Sequence, residues 1–435
     1  MFVVFLIVII SCIFCTRIIG GKIFSPVFML CSFWLVIGIF AEMALFDVYR
    51  PSDKVWTVTT IGVIAFSFGA LLATRLVGNR RVVFGKNKLD KNYVFDSQKY
   101  NIIVCLMLLY CAYRLVTAIK LLRMGLPLDM IRMLYFGNSV YGYKVPDWAS
   151  TVEIYLHLPA LYAAMTIVAM DIALPKDKHI LKGKIRILSI AWIIIATLVS
   201  GGRNQLYAFA IEVLVAFFVT RQYDVTSLIN IIKKYSKLIF VILLMIFFLY
   251  LFSIMRNSSG KDYDFIRSIY VYFCGAFAHM DSRFNTVNFE DYTWGLSLLS
   301  GFLRPIMLVW KYLFGAFPEL YQKTIDIGST LQSRISIGNN VGFNAFVLPV
   351  YYFYYDAAFL GVAFDSLVCG FVSNRIYAGV NNKKFDSYKV GIFLLVVYAI
   401  AMSMVRYAGN LVYYALSFVV LRLLHKKVYD KNEQE

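Results

Sequence analysis

Apolar runs of roughly the length needed to cross a lipid bilayer recur from one end of this 435-residue chain to the other. A transmembrane helix needs about 20 mostly apolar residues, because the hydrocarbon core of a bilayer is about 30 Å thick. We predict eleven spans, at residues 1–16, 24–46, 56–74, 101–119, 150–170, 187–201, 204–220, 238–255, 357–376, 389–405 and 408–424. The pattern predicts an all-α fold, a polytopic membrane helix bundle.

The composition excludes a soluble enzyme and a protein with a single membrane anchor. Hydrophobic residues make up 60% of the chain and charged residues only 16%, against about 25% charged residues in soluble proteins. The net charge of +18 could suggest a nucleic-acid partner, but membrane proteins carry excess Lys and Arg in their cytoplasmic loops. The sequence contains no basic soluble domain, so we predict no nucleic-acid partner.

The distribution of charge also predicts an orientation. The first span lacks the basic leading region of a signal peptide, and Arg17 and Lys22 follow it. With the N-terminus outside, most basic residues of the short loops lie inside, as membrane proteins prefer, and the C-terminus is also inside. We predict an N-terminal membrane bundle of about eight spans over 1–255, a large outer loop over 256–340, and a membrane segment of about three spans with a short tail over 341–435.

The large outer loop is the longest connection, and loops of this length are usually functional. It mixes apolar turns with Gly, Pro and Arg, which is typical of short helices on or in the membrane surface. The chain has no Walker loop, Rossmann glycine fingerprint, HExxH or GxSxG motif, and its four His and seven Cys residues are scattered. We therefore predict no metal, no cofactor and no disulfide bond, and activity in the presence of EDTA.

The turn Gly201-Gly202-Arg203, between the sixth and seventh predicted spans, is a candidate phosphate site. Two glycines let the backbone approach a ligand closely, and the following helix offers its N-terminal N–H groups to an anion. A guanidinium beside the positive end of a helix is unfavourable unless an anion joins them. The alternatives are contact of Arg203 with lipid phosphates, or pairing with Glu212, which lies on roughly the opposite helix face.

Further arginines concentrate on the predicted outer side. They are Arg256, Arg283, Arg304 and Arg334 in the large loop and Arg406 in a short turn. Arg presents a rigid fork of donors that binds phosphate oxygens in pairs, which Lys cannot do. Together they suit a lipid-linked pyrophosphate, although each one alone fits a solvated or headgroup-bound charge equally well. Arg186, on the predicted inner side, is expected to tolerate replacement by Ala.

Titratable side chains near the outer ends of the spans are candidate acid–base groups. His279 and Asp281 lie with Arg283 in the segment HMDSR, and either could be the base that a hydroxyl acceptor requires. Other candidates are Glu153, His157, Glu290, Asp291 and Asp356. Glu212 and Asp365 lie in mid-span, where an ionisable group is costly, so each is either functional or a hydrogen-bond partner between helices.

The layout resembles that of a known family. A GGRN turn lies between two middle spans, a large outer loop follows the next span, and Gly-Phe-Asn-x-Phe, Tyr-Tyr-Asp and Gly follow in order. These motifs comprise Gly342, Phe343, Asn344, Phe346, Tyr354, Tyr355, Asp356 and Gly361. The combination resembles the bacterial oligosaccharide repeat-unit polymerases, the Wzy-type O-antigen polymerases. The family's usual Asp-Phe-Gly reads Asp356-Ala357-Ala358 in this chain.

The resemblance implies a glycosyltransferase that acts at the periplasmic face of the bacterial inner membrane. It would transfer a growing glycan from undecaprenyl pyrophosphate to a new lipid-linked repeat unit, with arginines stabilising the departing pyrophosphate. The implied partners are undecaprenyl-pyrophosphate-linked glycans, membrane lipids and a chain-length regulator protein. The residues assigned to catalysis are Arg203, Arg304, Arg334, Arg283, His279 and Asp281. The residues assigned to substrate binding are Gly201, Gly202, Asn344, Tyr355, Asp356 and Arg406.

Three other functions remain as alternatives. An O-antigen ligase has a similar layout but passes the finished glycan to the lipid A core. A flippase or other transporter favours two pseudo-symmetric halves and charges that line a central cavity, whereas this chain has one oversized loop and no internal repeat. A structural subunit would not need clustered arginines. The polymerase is favoured over all three.

Overall fold

In a computed structural model the chain is built mainly from α-helices, so the predicted all-α class is confirmed. The structure describes residues 1–18, 24–76, 88–89, 93–126, 130–131, 134, 142–200, 204–221, 264–344, 346–380 and 384–427. The helices are α1 (Phe2–Ile18), α2 (Pro26–Glu42), α3 (Asp53–Leu76), α4 (Ser97–Arg123), α5 (Asp147–Val152), α6 (Leu158–Ala173), α7 (Gly183–Ser200), α8 (Asn204–Arg221), α9 (Phe265–Phe284), α10 (Leu296–Phe314), α11 (Glu319–Gln332), α12 (Pro349–Val380), α13 (Ser387–Met402) and α14 (Val412–Leu423). The short strands are β1 (Lys88–Leu89), β2 (Tyr93–Phe95), β3 (Ile335–Gly338), β4 (Val341–Phe343), β5 (Lys384–Phe385) and β6 (His425–Lys427).

Within the described residues, six helical stretches are long and apolar enough to cross a membrane. They are Asp53–Arg75, Ser97–Arg123, Asp147–Ala173, Gly183–Ser200, Phe289–Phe314 and Pro349–Val380. Shorter apolar helices cover Phe2–Thr16, Pro26–Glu42, Gln205–Thr220, Ser387–Met402 and Val412–Leu423. These helices are those of a membrane protein, whereas the number of eleven spans stays a prediction.

Two of the predicted spans need comment. The span 238–255 lies outside the described residues. The span 357–376 is part of the longer α12, whose helical geometry is interrupted at Ala357 and Ala358. In addition, the stretch Phe289–Phe314, which falls within the predicted outer loop, has the length and composition of a span, because α10 is longer and more apolar than the short helices expected there.

The chain folds into two compact units, each of which is assembled from separate parts of the sequence. Unit 1 comprises Met1–Val83, Ile266–Asn382 and Ala399–Val412. Unit 2 comprises Phe84–Phe265, Lys383–Tyr398 and Tyr413–Glu435. The division into consecutive parts over 1–255, 256–340 and 341–435 stays a prediction.

In unit 1, helices α3 and α12 pack at very short range. A Cβ atom at Gly69 would lie 2.0 Å from the Leu367 carbonyl oxygen, and one at Gly370 would lie 2.0 Å from that of Phe66. Small residues allow helix backbones to approach closely where lipid provides no hydrophobic driving force. Asn374 Nδ2 also donates a 2.8 Å hydrogen bond to the α3 backbone. This contact fixes α3 against α12 within unit 1.

Strands β3 and β4 form an antiparallel hairpin in unit 1. The hairpin is held against the segment that follows α2, where Val48 forms a bridge with Gly338 and the Tyr49 N–H donates to the Ile337 carbonyl at 2.8 Å. A Cβ atom at Gly338 would lie 2.0 Å from the Asp47 carbonyl oxygen, so only glycine fits there. The hairpin therefore fixes the positions of the residues directly before β3 and directly after β4.

In unit 2, strands β2 and β6 pair antiparallel. This pairing joins the segment before α4 to the segment after α14. Asp96 is the N-cap of α4, where its side chain accepts a 3.2 Å hydrogen bond from the Lys99 N–H. Lys426 Nζ lies 2.9 Å from the same carboxylate. Hydrogen bonding to Lys426 holds the pKa of Asp96 below its usual value. The pair links the start of α4 to the strand that follows α14.

Asp171, near the C-terminal end of α6, organises the turn that leads to α7. Its buried carboxylate accepts hydrogen bonds from the Ile180 and Leu181 N–H groups at 2.6 and 2.8 Å, and Arg186 Nε also donates to it. Removal of Arg186 would leave a buried carboxylate without its cation, which is strongly destabilising. The expectation that Arg186 tolerates Ala therefore does not fit this geometry.

Candidate functional site

Several of the predicted site residues lie around Arg283, near the C-terminal end of α9 in unit 1. His279 and Arg283 are four residues apart and so share a helix face, and Arg283 Nε donates to His279 Nε2 at 3.4 Å. Arg283 Nη2 donates to Ser333 Oγ at 2.6 Å and to the Ser333 carbonyl at 3.0 Å. These partners are uncharged groups, so they position the buried guanidinium without neutralising it.

His279 is neutral in this arrangement. Its Nδ1 lies 2.8 Å from the Phe346 carbonyl oxygen, and because a carbonyl only accepts, Nδ1 carries the proton and Nε2 accepts from Arg283. Burial lowers the pKa of His279 to about 4, and the nearby Arg283 charge acts in the same direction. Both ring nitrogens are occupied, so the geometry suits a residue that orients Arg283 better than it suits a general base.

Two tyrosines of α12 lie next to this pair. Tyr351 and Tyr355 are one helical turn apart, with their hydroxyl oxygens 3.4 Å from each other. Both hydroxyls lie within electrostatic range of Arg283, and the Tyr351 ring packs against Phe284 with the centroids 5.8 Å apart. The structure thus brings Tyr355, predicted to bind substrate, beside Arg283, predicted to act in catalysis.

Arg334 lies at the start of the β3–β4 hairpin, directly after the serine that Arg283 contacts. Its guanidinium lies across the backbone of Gly342, where a Cβ atom would be 2.2 Å from Arg334 Nε and 2.7 Å from Nη2. Arg334 is exposed. At the other end of the hairpin, Asn344 Nδ2 donates to the Gln332 carbonyl at 3.2 Å. Gly342 of the Gly-Phe-Asn-x-Phe motif therefore has a physical role, because the absence of a side chain there leaves room for Arg334.

The charge of Arg334 is not balanced by a carboxylate within the described part of the chain. Arginine ion pairs between described residues involve Arg50, Arg114, Arg186 and Arg267. Arg334 is not one of them, and neither is Arg283. Since an uncompensated guanidinium fork attracts phosphate oxygens, this end of the hairpin can bind an anion.

Asp281 and Lys54 lie at the N-terminal end of α3. The two oxygens of Asp281 accept hydrogen bonds from the Ser52 N–H at 2.9 Å and the Ser52 hydroxyl at 2.5 Å. Asp281 therefore caps α3. Lys54 Nζ lies 5.0 Å from the ring centroid of Phe284 and 5.3 Å from that of Tyr354. The sequence analysis assigns no role to Lys54. The one feature of the sequence that could have indicated this residue is the position of a basic side chain at the start of a predicted span.

Asp356 caps a helix as well. Its buried carboxylate accepts hydrogen bonds from the Ser297 and Leu298 N–H groups at 3.0 Å each, and from the Thr293 hydroxyl. Asp356 thereby fixes the start of α10 against the interruption in α12. The carboxyl of Asp365 lies near that of Asp356. Asp356 therefore determines where α10 begins, and its carboxylate oxygens already accept hydrogen bonds from that helix.

Arg304 and Arg406 have surroundings of their own. The Arg304 guanidinium carbon lies 5.0 Å above the Phe317 ring. Arg406 lies after α13, within electrostatic range of the Tyr352 hydroxyl, and the Tyr352 and Tyr407 rings lie 5.8 Å apart. Arg304 is thus placed by α10 and the segment after it, while Arg406 lies near the first half of α12.

Three of the predicted residues, Gly201, Gly202 and Arg203, lie outside the described residues, as does Arg256. Their assignments stay predictions. Glu212 is described and fully buried, and its carboxyl has no hydrogen-bond partner among the residues that the structure places.

Unit 2 contains a buried charged cluster that the sequence analysis recognises only in part. Arg114 Nη1 lies 2.6 Å from Glu153 Oε2, and His157 Nδ1 lies 3.2 Å from the same oxygen. Trp192 Nε1 donates to His157 Nε2 at 3.1 Å. Glu153 and His157 begin and end a π-helical turn between α5 and α6. Arg114 is absent from the predicted residues, although an arginine inside an apolar run is itself a signal.

Within the described residues, no group of three His, Cys, Asp or Glu side chains lies close enough to hold a metal ion. In comparisons with known proteins, no protein family, no curated protein and no solved structure matches the chain. The functional interpretation therefore depends on the site geometry and on the resemblance in motif.

Proposed function

We propose that this chain is a glycosyltransferase that polymerises undecaprenyl-pyrophosphate-linked oligosaccharide repeat units into O-antigen-type polysaccharide. In the proposed reaction, a hydroxyl of the acceptor sugar attacks the anomeric carbon of the donor glycan. The bond between that carbon and the pyrophosphate oxygen breaks, and the lipid pyrophosphate departs with the bonding electrons. The proton of the hydroxyl passes to a base, and the arginines stabilise the charge on the leaving group.

The observation that carries this proposal is the pair of uncompensated arginines at the start of the β3–β4 hairpin. Arg283 contacts the uncharged side chains of His279 and Ser333. Arg334 directly follows Ser333 in the chain and lies over Gly342. Two guanidiniums supply the paired donors that match pyrophosphate oxygens. Tyr355 and Lys54 belong to the same unit and add a hydroxyl and a further cation.

The proposal includes the finer features of topology and location. The chain would cross the bacterial inner membrane about eleven times, with its N-terminus in the periplasm and its C-terminus in the cytoplasm. The loop 256–340 would then be periplasmic, where lipid-linked repeat units are joined. Reporter fusions at residues 286 and 340, on either side of α10, test this, since alkaline phosphatase is active only outside the cytoplasm and β-galactosidase only inside it.

The interruption in α12 favours a transporter of lipid-linked glycans as a second candidate. Ala357 and Ala358 have non-helical dihedral angles inside this long apolar helix, and the buried carboxyls of Asp356 and Asp365 lie near each other beside the interruption. Transporters commonly build their sites from discontinuous membrane helices. A transporter, however, has no need for the exposed Arg334 fork over Gly342.

A lipopolysaccharide gel of a deletion strain separates a polymerase from a ligase or a flippase. Loss of a polymerase leaves core that carries a single repeat unit, loss of a ligase leaves bare core, and loss of a flippase prevents even the single repeat from reaching the core. We expect the single-repeat pattern. Bare core in the deletion strain would reject the proposal.

Complementation with variants then tests the arginine pair. Arg334→Ala should abolish long chains at a protein level equal to wild type, and Arg334→Lys should restore them only in part, because Lys lacks the fork. Arg375→Ala is the matched control, since Arg375 is exposed on α12 and forms no ion pair between described residues. A full-length ladder with Arg334→Ala would exclude the proposed role of this arginine.

A further inference from the structure

Two buried carboxyl groups, those of Asp356 and Asp365, lie on opposite sides of the interruption in α12. Gly361 brings the two sides together, because a Cβ atom at this glycine would lie only 3.3 Å from Asp356 Cβ. Asp365 follows Gly361 by one helical turn and so lies on the same face of the helix. The carboxyl groups of Asp356 and Asp365 are within hydrogen-bond range of each other.

The contact between these two carboxyl groups contains no donor. Asp365 is 1% exposed and Asp356 is 2% exposed, and no described residue donates a hydrogen bond to either oxygen of Asp365. Neither carboxyl belongs to an ion pair between described residues. Two carboxylates that share one buried site cannot both be ionised without strong repulsion. A proton or a metal cation therefore lies between them.

The surroundings of the pair are uncharged. The Cys369 thiol, one turn further along α12, is a titratable group within range of Asp365. Arg283 and Asp291, which lie within range of the Tyr355 hydroxyl, have opposite charges. The residues of other segments that pack against this part of α12 are Gly62, Phe66 and Gly69 of α3, and Thr293, Ser297 and Leu298 at the start of α10.

The hydrogen bonds of Asp356 favour a proton over a metal cation. A carboxylate accepts about four hydrogen bonds, about two at each oxygen. Asp356 Oδ1 accepts from the Ser297 N–H and the Thr293 hydroxyl, and Oδ2 accepts from the Leu298 N–H. Oδ2 therefore has one acceptor position left, which suits a single O–H donor. Hard metal cations need about six oxygen ligands, and most of the positions on Asp356 are already taken.

We propose that α12 contains a proton-binding site, in which Asp365 is a neutral carboxylic acid that donates a hydrogen bond to the Asp356 carboxylate. The bound proton removes one of two like charges and joins the two sides of the interruption. Because Asp356 also fixes the start of α10, the proton links that helix to both parts of α12. Its release would leave two adjacent buried charges and would open the interruption. The inference is independent of the proposed polymerase function.

Infrared spectroscopy of the full-length protein in a detergent without carbonyl groups tests the proposal. A protonated carboxyl absorbs at a higher frequency than an ionised one, and at about pH 8 ordinary exposed carboxyls are ionised. The difference between wild type and Asp365→Asn isolates the band of Asp365 from that of other buried carboxyls such as Glu212. We expect the variant to lose one protonated-carboxyl band, which in wild type shifts in deuterium oxide. Asn is neutral and keeps an N–H donor toward Asp356, so the variant should fold.

Asp326→Asn is the matched control, because Asp326 is exposed on α11 and its removal should leave the protonated-carboxyl region unchanged. Identical spectra of wild type and Asp365→Asn in this region would contradict the proposal. Loss of the wild-type band when choline chloride is replaced by sodium chloride would also contradict it, because a metal cation would then occupy the site.

A second measurement needs no variant. Wild-type protein that contains aspartate with a heavy carbon isotope in its side-chain carboxyl should show a shifted band. If no band in this region shifts, every protonated carboxyl belongs to a glutamate, and the assignment to Asp365 is wrong. Neither measurement depends on polymerase activity, so a failed polymerase proposal leaves both results intact.

Discussion

Two arginines of unit 2, Arg114 and Arg186, face carboxylates, whereas the arginines around the candidate site in unit 1 face uncharged groups. Arg114 lies 2.6 Å from Glu153, and Arg186 donates to Asp171. In unit 1, by contrast, Arg283 contacts Ser333 and a neutral His279. Arg334 lies on Gly342, and Arg304 lies on Phe317. The charge of the arginine side chain is therefore compensated at Arg114 and Arg186 and left uncompensated around the candidate site.

The difference shows which arginines are available to an anionic ligand. A buried pair such as Arg114 and Glu153 serves the fold, because removal of either partner leaves an unpaired charge in an apolar surrounding. An arginine whose partners are carbonyls, hydroxyls or rings is held in place but keeps its attraction for phosphate. The following four experiments test this contrast, from the largest expected effect on stability to the smallest.

Replacing Arg114 with Met should lower the free energy of unfolding by about 3–5 kcal/mol, because the buried Glu153 would lose its guanidinium partner and keep only His157, 3.2 Å from the same oxygen. The double variant Arg114→Met/Glu153→Gln should recover most of this loss, since it buries no uncompensated charge. Unfolding of the detergent-solubilised protein, followed by circular dichroism, measures both. The control Arg375→Met lies on the surface and should change stability by less than about 0.5 kcal/mol. Equal effects of Arg114→Met and Arg375→Met would show that the pair does not stabilise unit 2.

The neutral state of His279 predicts a stability that depends on pH. The pKa of His279 is about 4 in the folded protein and about 6.5 in an unfolded chain. Below pH 6.5 the unfolded chain therefore binds a proton that the folded protein does not. Stability should be complete above pH 6.5 and fall by up to about 3 kcal/mol as the pH decreases to 4. The pH profile of unfolding for wild type and His279→Gln measures this contribution. If the two profiles have the same slope between pH 4 and 6.5, His279 is not held neutral.

Gly342→Ala should separate the position of Arg334 from the stability of the hairpin. The added Cβ would lie 2.2 Å from Arg334 Nε, and the flexible arginine can move away, so we expect a stability loss of no more than about 1 kcal/mol. Production of long glycan chains should nevertheless fall toward the level of Arg334→Ala. Gly328→Ala is the matched control, because nothing lies within 4 Å of a Cβ at that position. Glycan chains of wild-type length in Gly342→Ala would indicate that the position of Arg334 over this glycine is unimportant for polymerisation.

Arg334→Ala should have the smallest effect on stability, less than about 0.5 kcal/mol. The reason is that the side chain is exposed and has no carboxylate partner among the residues that the structure describes. Its effect on the reaction should be large, since removal of a donor to transition-state charge costs roughly 10²–10³ in rate. Thermal unfolding and the polysaccharide ladder of the same variant provide the two measurements. A variant that unfolds several degrees earlier than wild type would place Arg334 among the structural arginines.

Part of the candidate site could be predicted from local spacing. The segment HMDSR places His279 and Arg283 on one face of any helix that contains it, and the structure shows their side chains in contact. The same segment does not reveal that Asp281 accepts hydrogen bonds from Ser52, which is 229 residues away. A carboxylate that caps a distant helix looks, in the sequence, like a carboxylate that is free to act as a base.

The sequence by itself determined that this is an all-α chain with the apolar helices of a membrane protein. The physical reason is that no water is present in the hydrocarbon core to satisfy a backbone, so long apolar segments must form their hydrogen bonds internally as helices. Only the tertiary structure decided which charged groups have partners. Asp356 is bound by the start of α10, Arg114 meets Glu153, and Arg334 lies over Gly342, because helices and strands that are separate in the chain are brought together when the two units fold.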